Sequence, residues 1–131
     1  MKNIIRCIIV MAICLLVLFI LYEWPIQRYL ALRNVGKYIK LQGADIEDIS
    51  EKDIRKNFIQ DGYLIDIRYK SDPEFIYEYI FSVYDVEKLF SADSVTCIVY
   101  DNNNATVDTT DAYLRIKYQP IEEAARENTV Q

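Results

Sequence analysis

The sequence predicts an α+β chain: an N-terminal transmembrane helix continuing into a juxtamembrane helix, then a small antiparallel sheet of four or five strands. Three observations predict it. Residues 7–22, CIIVMAICLLVLFILY, carry no charge and no strong hydrogen-bonding side chain before the closing Tyr. Residues 26–41 repeat apolar side chains near helical spacing, and beyond Gly62 the period changes to two. These observations divide the chain into a span at 4–24, a basic juxtamembrane helix at 25–43, a head at 44–120 and a polar tail at 121–131.

Sixteen helical residues cover about 24 Å, short of a hydrocarbon layer of about 30 Å. Adding Ile4, Ile5 and Trp24, with Arg6 bent back toward the headgroups, extends the span to about 31 Å. Lys2 and Arg6 ahead of an apolar core also describe a secretory signal. The following Tyr22-Glu23-Trp24-Pro25 offers no small-x-small cleavage site, and neither Cys7 after Arg6 nor Cys14 after Ile13 fits a lipoprotein acceptor. An uncleaved signal-anchor is therefore expected, with Arg6, Trp24 and Arg28 at the membrane interfaces. The bases nearest the apolar core lie on its amino side. They favour a cytoplasmic amino terminus and an extracytoplasmic head at a plasma membrane.

Pro25 reads either as the first residue of a new helix or as a kink in a continuing one. In residues 26–41, Ile26, Tyr29, Leu30, Val35, Tyr38 and Ile39 fall near one helical face, and Gly43 is the stop. Arg28, Arg33, Lys37 and Lys40 are unopposed by any acid there, which suits anionic lipid or water. The acidic stretch at 45–53 reads as a turn or short helix with a solvated face, since its carboxylates lack cation-loop spacing.

Residues 54–58, then Gln60-Asp61-Gly62, then the alternating 63–70 predict a hairpin. Residues 75–84 have a fair helix start in Asp72-Pro73-Glu74. However, Phe75, Tyr77, Tyr79, Phe81 and Val83 share a face at period two, so a strand is expected. Residues 95–100 and 113–118 complete the sheet, the latter ended by Pro120, with a polar loop or short helix between 84 and 95.

Composition narrows the chemistry. With no His in 131 residues, the commonest general base and the commonest metal ligand are both missing. From Leu41 onward nine Lys/Arg face nineteen Asp/Glu, and so acidic a head repels nucleic acid. Cys97 is the lone cysteine of the head, expected buried on a strand, so no disulfide forms within it. The loop Asp101-Asn102-Asn103-Asn104 fails as a calcium loop, with Thr106 where Gly is needed and Ala112 where Glu is needed; it reads as a turn. Asn104-Ala105-Thr106 is a low-information glycosylation triplet. Amid aromatics Glu78 is a candidate for a carboxylate with a raised pKa, but it shares a face with Ser82, which predicts an exposed or edge position. Three glycines leave no phosphate-cradling loop. No catalytic group, cofactor or metal is expected. Twelve aromatics between Phe58 and Tyr118 supply core pairs, and any surplus on an uncovered face would form a partner contact, with Tyr77, Tyr79 and Tyr113 the candidates.

Three segments carry a resemblance: Tyr38-Ile39-Lys40-Leu41-Gln42-Gly43, the arm ending Ile67-Arg68-Tyr69-Lys70, and above all Asp72-Pro73-Glu74-Phe75-Ile76-Tyr77-Glu78-Tyr79. Together they resemble a family of short single-span proteins of low-GC Gram-positive bacteria, domain-of-unknown-function family 3139. The likeness covers roughly residues 1–85. It implies the anchor and the fold and transfers no mechanism. The expected function is a membrane-anchored, non-enzymatic interaction module whose partners are the lipid bilayer and an unidentified protein or envelope polymer. The alternative is a small subunit or regulator of a membrane complex, recognised through its transmembrane helix.

Overall fold

The computed structural model describes residues 1–83, 87–107 and 114–121. Its first 41 residues are dominated by one continuous helical rod. Helix α1 spans Lys2–Leu21, a widened π-helical turn follows at Tyr22–Ile26, and helix α2 spans Gln27–Leu41. Pro25 lies inside the widened turn. Proline has no N–H, and its ring clashes with the carbonyl four residues back, which a local i+5 turn relieves without ending the helix. Of the two readings of Pro25, the continuing helix is the observed one. By length and composition the rod is apolar enough to cross a membrane, and no residue of α1 is buried against protein.

Helix α2 ends in a Schellman cap. Gly43 takes φ +81°, its N–H donates to the Lys40 carbonyl at 3.1 Å, and the Ala44 N–H donates to the Ile39 carbonyl at 3.1 Å. A single 3₁₀ turn at Ile46–Asp48, capped by the Asp45 side chain, leads into the sheet. Four strands follow: β1 Ile49–Asn57, β2 Gly62–Tyr69, β3 Asp72–Ser82 and β4 Val95–Asp101. They form an antiparallel meander in the order β1-β2-β3-β4.

The alternation of β2, β3 and β4 puts Tyr63, Ile65, Ile67, Tyr69, Phe75, Tyr77, Tyr79, Phe81, Val95, Cys97 and Val99 on one face. There they pack against Leu30, Ala31, Val35, Tyr38 and Ile39 of α2. Cys97 is buried as expected. Where β1 joins β2, Gly62 comes so close to the Phe81 carbonyl that a Cβ would overlap it, so only glycine fits.

Three expectations need correction. Strand β1 begins at Ile49, well inside the stretch read as an acidic connector. It is an edge strand exposed from Ser50 to Asp53 and only half covered at Ile49, Ile54 and Lys56, so it lacks the alternation that marks the other strands. Residues 114–118 are not a strand; this segment crosses the end of the covered face and buries Ile116 and Tyr118. Side chains replace the ladder there. Asp72 Oδ2 accepts from the Lys117 N–H at 3.2 Å, Tyr77 Oη from the Tyr118 N–H at 3.3 Å, and Tyr38 Oη from the Ile121 N–H at 2.8 Å. Third, Ile26 and Tyr29 are exposed, and the buried positions of α2 include Gln27 and Asn34 instead.

Candidate functional site

Two places combine polar chemistry with access: the junction between α1 and α2, and the uncovered face of the sheet.

At the junction, the β1–β2 hairpin folds back onto the helical rod. Lys56, with a side chain only 12% exposed, holds its ammonium 3.2 Å from Glu23 Oε2 and 3.1 Å from the Glu23 carbonyl. The same nitrogen donates to Gln27 Oε1 at 2.5 Å, lies 3.4 Å from Asp61 Oδ1, and sits 5.1 Å from the centre of the Tyr63 ring. Tyr63 donates its hydroxyl to the Trp24 carbonyl at 3.1 Å. Lys56 thus ties the strand end to the rod with one cation against two carboxylates, an amide oxygen and an aromatic face.

The uncovered face carries a charged row across the three strands β1, β2 and β3. Asp66 and Glu78 stand directly opposite each other on β2 and β3. Arg55 reaches both, 2.5 Å from Asp66 Oδ2 and 3.5 Å from Glu78 Oε2. Tyr100 donates to Glu78 Oε1 at 3.5 Å. Burial pushes the Glu78 carboxyl above its ordinary range, the Asp66 charge adds to this, and Arg55 opposes it. Asp66 Oδ1 is buried and accepts no hydrogen bond among the described residues. These side chains, with Ile76 and Asn104, line a shallow cavity of about 190 Å³. The arrangement can receive a hydrogen-bond donor or a cation and offers apolar contact beside it. Glu78 is half-buried on a central strand, with 17% side-chain exposure, not at an edge. The strands on either side supply the cover that a sequence alone does not reveal.

Tyr77 and Tyr79 are fully buried and cannot serve as partner contacts. They point to the α2 side, where Tyr79 donates to Gln42 Oε1 at 2.7 Å and Tyr77 to Asp72 Oδ2 at 2.5 Å. Tyr69 shares a 2.7 Å hydrogen bond with Tyr79. Burial raises all three phenols well above the usual tyrosine range. Tyr113 lies outside the described residues. Arg6, Trp24 and Arg28 are all exposed on the rod, Arg6 about 27 Å along the axis from Trp24. The sequence pattern does not single out Lys56, and it leaves Gln27 and Asn34 among the polar positions of the helix. Asn34 donates to the Leu89 carbonyl at 2.6 Å and to Ser94 Oγ at 2.9 Å. The available signal was their spacing: 27, 30, 31, 34, 35 and 38 form one helical stripe that includes both amides.

Residues 1–79 match the family described as protein of unknown function (DUF3139). The chain belongs to the DUF3139 family. The DUF3139 match runs from α1 into β3, so it includes every residue of the Lys56 junction and leaves β4 outside. No curated protein and no solved structure matches the chain.

Proposed function

We propose that this DUF3139 protein is a membrane-anchored, non-enzymatic interaction module that binds a protein or envelope polymer through the uncovered face of its sheet. The observation that carries this reading is the unbroken passage of the apolar α1 into α2, the helix that covers one sheet face. The anchor and the domain are one piece, and among the described residues no helix covers the opposite face. Arg55, Asp66, Glu78 and Tyr100, beside half-buried Ile76, Ile80 and Ile98, form the contact, which suits a partner rich in hydrogen-bond donors. Lys2 and Arg6 next to the apolar core support a cytoplasmic amino terminus and a head at the outer face of a plasma membrane. A chain without histidine, with its carboxylates on a shallow open face, supports binding over catalysis.

The test is in-cell photocrosslinking from position 98 or 100 of the full-length protein. A discrete adduct that disappears when Asp66→Asn and Glu78→Gln are introduced supports the reading; an adduct unaffected by those changes overturns it. Replacing residues 7–22 with an unrelated apolar helix leaves that adduct in place if the sheet is the contact. Its loss would favour recognition through α1. Alkaline phosphatase fused after Gln131 is active in a bacterial host if the head is outside.

A further inference from the structure

The β1–β2 hairpin ends in two large apolar side chains that the described residues leave exposed: Phe58 is 81% exposed and Ile59 92% exposed. The loop is nevertheless ordered from within. Asn57 Oδ1 accepts from the Ile59 N–H at 3.1 Å and from the Gln60 N–H at 3.3 Å. The sheet end of the loop is clamped to the rod on both sides, by Lys56 to Glu23 and by Tyr63 to the Trp24 carbonyl. The base of the loop therefore sits beside Tyr22–Ile26, the turn that follows the last apolar turn of α1, and the tip projects from it. Phe58-Ile59-Gln60 carries no charge, and the neighbouring Lys56 and Asp61 are paired with each other. Exposed Trp24, Tyr29 and Arg28 on the adjoining rod are the residue types that settle at headgroup depth.

We propose that the hairpin tip is a second lipid contact, with Phe58 and Ile59 entering the interfacial layer of the bilayer that α1 crosses. This rests on the membrane reading of α1 and adds to it. One helix alone leaves the domain free to lean; a helix and an adjacent apolar tip hold it in one tilt. A bilayer is the fitting occupant because the patch is uncharged and presented by a hairpin whose base is clamped to the turn at the end of α1.

The experiment uses the chain's single tryptophan. In full-length protein carrying Trp24→Phe, tryptophan is placed by Phe58→Trp, by Ile59→Trp or, as an anchor control, by Ile13→Trp. Each variant is reconstituted into phosphatidylcholine vesicles containing lipids brominated at shallow or deep acyl positions. The expected result is blue-shifted emission at 58 and 59, with intensity lost most to shallow bromines, and loss at 13 most to deep ones. If 13 is quenched while 58 and 59 are not, the tip contact is wrong and the anchor stands. If 13 is not quenched either, the membrane reading fails and the tip proposal falls with it.

Discussion

Lys56 and Glu23, thirty-three positions apart, meet at 3.2 Å and join the end of an edge strand to the turn between two helices. Both side chains are largely covered, at 12% and 23% exposure, so removing the Lys56 ammonium strands the Glu23 carboxylate. Lys56→Met, which keeps the apolar stem, is expected to cost about 1–3 kcal/mol. Glu23→Gln combined with Lys56→Met should recover much of that loss. Thermal unfolding in detergent micelles, with amide exchange at Asn57 and Tyr63, measures both.

Alkali is expected to unfold the domain through its tyrosines. Tyr69, Tyr77 and Tyr79 have phenols raised far above their ordinary value of 10.0, chiefly by burial. Below pH 10 neither folded nor unfolded chain ionises them, and their contribution is fully present. Above it the unfolded chain releases these protons and the folded one does not, so stability falls as pH rises. Tyrosinate absorbance from three residues should therefore appear together with loss of the circular-dichroism signal of the sheet. Early ionisation in a folded protein would contradict the buried placement.

On the acid side, two carboxylates act in opposite senses. Glu78 has its pKa raised from 4.5, so the folded state gains protons first and the contribution of this residue to stability grows as pH falls toward 4.5. Asp48 is lowered from 3.8, chiefly by its hydrogen bond from Ser71, with Tyr118 also donating to it. Its contribution holds above 3.8 and is lost as pH falls further. Glu78→Gln is expected to raise stability near neutrality by less than about 1 kcal/mol, because solvent screens the site. That advantage should vanish near pH 4.5. Chemical denaturation of both proteins at the two pH values tests the sign.

Periodicity made much of this fold legible. Strands β2, β3 and β4 alternate because each buries one face and half-exposes the other, so Ile65, Tyr79 and Cys97 announce themselves. The rod was readable from the apolar run and from Gly43 at its stop. Of β1 only the hairpin arm from Ile54 is legible, because its first part is an edge facing water with no apolar period to detect. The segment at 114–121 is not legible: its backbone is held by Asp72, Tyr77, Tyr38 and Gln42 side chains brought from distant parts of the chain. The same limit applies to the site. Asp66 and Glu78 sit twelve positions apart in sequence, and only the strand register sets them side by side with Arg55. The period of two sets Tyr77 and Tyr79 on one face, but which face α2 covers is a tertiary fact.

The widened turn at Pro25 keeps the rod in one piece where a proline would ordinarily break it. With no swivel between its two ends, rolling α1 about its own axis swings the sheet through the same angle. Whatever fixes the azimuth of the apolar segment also aims Arg55, Asp66 and Glu78, so a grip on one end of the molecule steers the other.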